Sequence, residues 1–192
     1  IKHLEQGVPQ GSVLSSILFL IAINMITECF QDPVRFSLYA DDLVIFCSSK
    51  RMQTVIRLLQ NCIKKLEIWS ASTGFKFSPT KTKVIHFCKK RNCKTKPSLL
   101  LNGSELPVET HVKYLGLIFD SRLSWQLHIN SLKSTCYRAI KILLCISHLK
   151  WGADRKMLLQ LYKSLIQSKL EYGCQIYGSA KEPILQKLNP IH

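Results

Sequence analysis

Two short β-prone runs, Arg35-Phe36-Ser37-Leu38-Tyr39 and Leu43-Val44-Ile45-Phe46-Cys47, stand three residues apart, with Ala40-Asp41-Asp42 between them. So short a link reads as a hairpin, since parallel neighbours need a crossover of about a dozen residues. It lacks the glycine that a tight primed turn prefers.

Helical patterns flank the hairpin. Gly7-Val8-Pro9-Gln10-Gly11-Ser12 reads as a turn whose Ser12 can cap a helix. Val13–Phe30 is apolar nearly all round, which predicts a mostly buried helix, broken at Asp32-Pro33. After the hairpin, Ser48 or Ser49 is placed to cap a second helix. In it Val55, Leu59, Cys62, Ile63, Leu66 and Trp69 recur at helical spacing, and Gly74 stops it. Lys83–Phe87, Leu99–Leu101 and Val112–Phe119 read as strands, with a turn at Asn102-Gly103. The pattern is α+β with an antiparallel sheet. Beyond Asp120 it becomes helical. Trp125, Ile129, Leu132, Cys136, Ile140 and Leu143 mark one amphipathic helix. Asp154 begins another, with Met157, Leu158, Leu161, Leu165 and Ile166 on its buried face. The boundary falls near residues 120–124, giving an α+β part at 1–122 and an all-α part at 123–192.

The chain has 192 residues, enough for one domain or one domain with a small appendage. With 46% apolar and 20% charged residues it can bury a core and is no disordered tail. It opens at Ile1 without a secretory layout, as a piece of something longer would. Its longest apolar stretch, Val13–Ile26, includes Ser15, Ser16 and Asn24. That falls short of the roughly 20 residues a spanning helix needs, so no membrane partner is expected. Eight scattered cysteines fit free thiols in a reducing compartment. Cys88 and Cys93 with His86 nearby invite a zinc reading, but no second ligand pair follows at finger-like spacing.

Charge separates along the chain. Lys plus Arg is 27 against 12 acids, a formal +15, which argues for a polyanionic partner. Residues 1–50 are net −2, residues 51–122 net +10, and residues 123–192 net +7. Lys89, Lys90, Arg91, Lys94 and Lys96 form a basic loop that can contact phosphates or stand merely solvated. Lys133, Arg138, Lys141 and Lys150 can line a second basic face, and Trp69, Trp125 and Trp151 read as packing before base platforms. Asp41-Asp42 is electrostatically wasteful at a hairpin tip without a counter-ion. Hard divalent cations such as Mg²⁺ take oxygen ligands of this kind, and a plain acidic turn is the competing reading.

Four ordered blocks carry a resemblance. They are Gly7-Val8-Pro9-Gln10-Gly11-Ser12-Val13-Leu14-Ser15, Tyr39-Ala40-Asp41-Asp42, Gly74-Phe75-Lys76-Phe77-Ser78-Pro79-Thr80-Lys81-Thr82 and Tyr114-Leu115-Gly116. In order and spacing they resemble reverse transcriptases, in particular those of non-LTR retrotransposons, over about residues 5–120. Leu123-Ser124-Trp125, His128-Ile129 and Leu170-Glu171-Tyr172-Gly173 resemble the thumb of jockey- and I-like elements. Ser16 and Ser78 depart from the family's usual Pro and Asn without removing a ligand.

The resemblance implies a polymerase palm with an antiparallel sheet, lacking fingers and first palm strand, then a helical thumb. It implies transfer of a deoxynucleotide to a primer 3′-hydroxyl, assisted by two Mg²⁺ ions about 4 Å apart. The partners would be an RNA template, a DNA primer and deoxynucleoside triphosphates. Asp41 would be the chief metal ligand and Asp42 a less direct one. Pro9, Gln10, Gly11, Tyr39 and Ala40 would shape the nucleotide and template pocket, and Lys81 would sit near the triphosphate. Tyr114, Leu115 and Gly116 would form the primer grip. A further metal-binding aspartate belongs upstream of Gly7, so the 192-residue piece is expected to be inactive by itself. A decayed or co-opted nucleic-acid binder, and a group II intron maturase, are the alternatives. Family members assemble with RNA in the cytoplasm and prime at chromosomal DNA.

Overall fold

The computed structural model describes residues 11–90, 97–148 and 152–191. They form two compact units, one within Ile1–Val84 and Lys94–Val108, the other within Ile85–Cys93 and Glu109–His192.

In the first unit the order is α1 (Ser15–Asn24), β1 (Arg35–Tyr39), β2 (Asp42–Phe46), α2 (Met52–Thr73), β3 (Val84–Ile85), β4 (Leu100–Leu101), β5 (Ser104–Glu105) and β6 (Val108–Glu109), whose last residue, like that of β3, passes to the second unit. The long helix α2 organises it. Cys62 and Leu66 are buried with Ile26 and Val34, and Leu38, Leu43 and Ile45 of the first hairpin pack against them. Ile63 is buried instead with Leu99, Leu101 and Leu106. Each such side chain removed from water contributes roughly 1.5–3 kcal/mol. Gly74 ends α2 at φ 80°, its N–H donating to the Ser70 carbonyl at 3.0 Å, as the sequence indicated.

Polar side chains of α2 pin the second hairpin. The Gln60 amide donates to the Leu100 carbonyl at 2.9 Å and accepts from its N–H at 2.8 Å. Glu67 accepts from the Asn102 N–H at 2.5 Å. Asn102 (φ 50°) and Gly103 (φ 75°) make the turn expected there.

Three expectations are corrected. Helix α1 is mostly exposed, and only Ile23 on it is buried. Its partners among the described residues lie on one side only, where Phe19 meets the Phe75 ring edge at 6.0 Å, so most of an all-round apolar surface stays bare. A tighter 3₁₀ turn, Met25–Cys29, continues it without a gap to Phe30, so the helical run stops before Asp32-Pro33 as the sequence indicated. The serine caps are not used. Leu14 and Arg51 occupy the cap positions of α1 and α2 without side-chain bonds, and Ser12 contributes its carbonyl, accepting from the Ser15 N–H at 3.1 Å. The strands make separate two-stranded ladders, and the Lys83–Phe87 run is strand only at Val84–Ile85.

The second unit contains β7 (His111–Tyr114) paired with β8 (Leu117–Asp120), then α3 (Gln126–Ile146) and α4 (Arg155–Tyr162). A wide π turn at Lys163–Gln167 carries α4 into α5 (Ser168–Glu171). The short helices α6 (Cys174–Tyr177) and α7 (Glu182–Leu185) follow. Asp154 caps α4 as expected, accepting from the Met157 N–H at 2.7 Å. Trp125, Ile129, Leu132 and Cys136 of the anticipated stripe are buried with Ile166, Leu170 and Tyr177. Leu117 is buried in that same cluster. The β7–β8 hairpin therefore lies with the helices, and the compact units part earlier than residues 120–124.

At the entrance to α3, Trp125 takes φ 64°. Buried Asp120 holds this bend. Its carboxylate accepts from the N–H groups of Arg122 and Ser124 at 3.0 Å each, from Trp125 N–H at 2.8 Å, and from the Ser124 hydroxyl at 3.2 Å.

Candidate functional site

The first hairpin pairs Tyr39 with Asp42, so its turn is only Ala40-Asp41. Ala40 supplies the positive φ, 51°, that glycine normally would. A non-glycine residue there costs roughly 1–2 kcal/mol, a strain of the sort that clusters at functional sites. Side chains alternate across a strand. Leu38 and Leu43, opposed in register, and Ile45 lie on the face packed into the core. Tyr39 and Asp42 therefore share the opposite face, and Asp41 caps the tip. Both aspartates are exposed, as is Tyr39 at 65%. Neither carboxylate is hydrogen-bonded or ion-paired among the described residues.

Exposed adjacent carboxylates are the oxygen donors that a hard divalent cation selects. The donor type fits, but the number is short: no group of three His, Cys, Asp or Glu side chains converges among the described residues.

Lys81 also lies in this unit, in a turn organised by Ser78. The Ser78 carbonyl accepts from the N–H of Lys81 at 3.2 Å and from the N–H and hydroxyl of Thr82 at 3.0 and 2.8 Å. Lys81 is exposed. Gly11, at φ 87°, is exposed with no atom within 4 Å of where a Cβ would stand. Pro9 and Gln10 lie outside the described residues.

The second unit holds Tyr114-Leu115-Gly116. Tyr114 pairs with Leu117, so Leu115 (φ 44°) and Gly116 (φ 81°) form a two-residue turn with both residues left-handed. The Tyr172 hydroxyl donates to the Leu115 carbonyl at 2.7 Å, a contact across 57 positions. Sequence reasoning marked both segments without pairing them, and only the glycines at 116 and 173 hint at the close approach. Lys89 and Lys90 are exposed, whereas Arg91, Lys94 and Lys96 lie outside the described residues.

On α3, Lys133 lies 5.6 Å from the Tyr137 ring centroid, and Arg138 donates to the Thr135 hydroxyl at 3.3 Å. Lys141 is exposed, and Lys150 lies outside the described residues. Trp69 stacks on Phe75 at 5.2 Å, and Trp125 is buried with its indole N–H on the Ser179 hydroxyl at 3.1 Å, so both are packing residues. Trp151 lies outside the described residues. Cys88 is half-buried, its N–H donating to the Ser121 carbonyl at 2.9 Å, and Cys93 is outside the described residues. No helix among the described residues is long and apolar enough to cross a membrane.

A family model described as reverse transcriptase (RNA-dependent DNA polymerase) matches residues 2–119, more than half of the chain. The RNA-directed DNA polymerase from mobile element jockey of Drosophila funebris is 29% identical over 200 residues, covering 100% of this chain and 21% of that protein. Its Drosophila melanogaster counterpart is 28% identical over 201 residues, covering 98% of this chain and 21% of the relative. The probable RNA-directed DNA polymerase from transposon BS of the same fly is 29% identical over 192 residues, covering 93% and 20%. The chain thus spans about a fifth of the length of these relatives. No solved structure matches. These relatives bear out the resemblance to polymerases of non-LTR elements, and on the match across residues 2–119 the chain belongs to the reverse transcriptase family.

Proposed function

We propose that this segment supplies the palm hairpin and the start of the thumb of an RNA-directed DNA polymerase. The polymerase would extend a DNA primer on an RNA template with deoxynucleoside triphosphates. The observation that carries the reading is the Tyr39-Ala40-Asp41-Asp42 turn. It presents two bare carboxylates at the tip of a hairpin whose other face is anchored in a core, inside the region that matches the family.

Asp41 and Asp42 would hold divalent cations, Mg²⁺ by preference for hard oxygen donors, with a further carboxylate from the longer polypeptide. Such ions supply charge neutralisation at a transferring phosphoryl group. The chain's own residues do the positioning. Tyr39 shares the outer face with Asp42 and, with Ala40, lines the approach to the tip. Gly11, with Pro9 and Gln10 before it, lets backbone come close to the incoming nucleotide. Lys81 offers an ammonium to the triphosphate and a proton to departing pyrophosphate. The Leu115-Gly116 turn grips the primer, and Lys89 and Lys90, continued by Arg91, Lys94 and Lys96, hold nucleic-acid backbone. With two carboxylates alone, the isolated 192-residue chain binds nucleic acid without extending it. The locations this reading brings with it are a cytoplasmic ribonucleoprotein and the nucleus.

The test is incorporation of dTTP on poly(rA)–oligo(dT) with Mg²⁺ by a polymerase of the relatives' length carrying this segment. Asp41→Asn is expected to cut incorporation about a hundredfold or more, the equivalent of several kcal/mol of lost charge stabilisation. Incorporation that survives Asp41→Asn refutes the catalytic role. Binding that is salt-sensitive and indifferent to Asp41, with no incorporation by the unsubstituted enzyme, leaves a binding module instead.

A further inference from the structure

The turn assigned to the primer grip is held from outside its own hairpin. Besides the bond from its hydroxyl to the Leu115 carbonyl, Tyr172 lays its ring over Gly116, with Cε1 3.1 Å from where a Cβ would stand. The next residue, Gly173, at φ 70°, sits so close to Leu117 that a Cβ would come within 2.7 Å of its Cδ2. Tyr172-Gly173 thus clasps three consecutive residues of the hairpin, Leu115, Gly116 and Leu117. Leu115, a residue with a side chain, has positive φ, a conformation that needs such support.

The clasped turn forms one wall of a cleft of about 420 Å³. Lys113 and Gly116 line it from the hairpin, Lys169 and Tyr172 from α5 and just beyond, and His128 from α3. Lys113 and Lys169 are exposed and without an acidic partner among the described residues. The π turn at Lys163–Gln167 immediately precedes Lys169, and such turns often mark functional sites. Buried His128 accepts the Ile118 N–H at Nδ1 (3.4 Å), which leaves its proton on Nε2, where no partner meets it. Two unpaired ammonium groups lining one cleft suit an anion.

We propose that Tyr172 is a positioning residue for the primer strand, its hydroxyl fixing the Leu115-Gly116 turn as the wall of a cleft in which Lys113 and Lys169 take one backbone phosphate. This rests on the polymerase reading above. The clasp reaches the strand only through the turn and the cleft it bounds.

Binding of a fluorescein-labelled RNA–DNA hybrid to the 192-residue chain, followed by anisotropy at fixed salt, tests it. Tyr172→Phe keeps the ring and removes the hydroxyl. It is expected to weaken binding roughly fivefold, the order a single hydrogen bond supplies, and to lower the melting temperature by no more than the few degrees that losing one such bond costs. Lys113→Gln is expected to weaken binding similarly, and the double variant to be no weaker than the worse single within about twofold. Residues serving one phosphate couple in this way, whereas independent effects multiply. A Tyr172→Phe chain that binds like the parent, or whose effect multiplies with that of Lys113→Gln, overturns the positioning role. A parent chain that leaves the hybrid unbound refutes the nucleic-acid reading itself, which separates the two failures.

Discussion

The carboxylate of Asp120 sits where the last strand becomes the first long helix of the second unit, and four donors converge on it. Burial, the largest influence, pushes its carboxyl up. The backbone N–H groups of Ser124, Trp125 and Arg122, with the Ser124 hydroxyl, together outweigh burial and hold it below the ordinary 3.8. A depressed carboxyl stabilises the fold above its unfolded value, and that contribution fades as pH falls through the folded one. Asp120→Asn is accordingly expected to cost about 2 kcal/mol at pH 7 by urea unfolding. The gap between variant and parent should close as pH drops below about 3.8; a gap that persists into acid would count against the ionised carboxylate. Asp120 stood in the sequence only as a boundary marker, because a multiply accepting aspartate has no spacing signature. Asp154 was legible because a cap bond is local, reaching only three residues to Met157. Asp41 and Asp42 were legible as a pair, but the strain borne by Ala40 was not.

At the scale of elements, glycines separate backbone geometry from packing. Gly74 and Gly173 have similar positive φ, 80° and 70°. No atom lies within 4 Å of a Cβ at Gly74, while the buried Leu117 stands against one at Gly173. Gly74→Ala is therefore expected to cost about 1 kcal/mol for the left-handed backbone alone. Gly173→Ala should cost about 2–3 kcal/mol, because overpacking adds to the same strain. Thermal unfolding of the two variants checks the order, and equal losses would mean that Leu117 gives way freely. Element type read well from sequence wherever one period was unbroken, as along α2 and α3. Burial read badly for α1, because an apolar sequence fixes what a helix could bury and not what stands beside it. The tie between Tyr172 and Leu115 spans 57 residues and has no local trace.

For the molecule as a whole, the bare side of α1 has a direct physical cost. Ile17 and Ile21 are 54% and 64% exposed, on a helix already apolar all round. Ile17→Glu together with Ile21→Glu is expected to leave the melting temperature of the isolated chain unchanged while lowering its light scattering, since contiguous exposed apolar surface promotes association. A fall in melting temperature would mean that these side chains are packed. The hairpin pinned by α2 stands on the other side of the same ledger of exposed surface. In an antiparallel ladder every second residue turns its N–H and C=O away from its partner, and Leu100 is such a residue, between the bonded positions Leu99 and Leu101. It is 46% exposed, yet the Gln60 amide occupies both of its backbone groups. One side chain thus seals the open margin of this ladder against recruitment of a stranger's strand, a protection that folded proteins otherwise obtain from a whole covering segment.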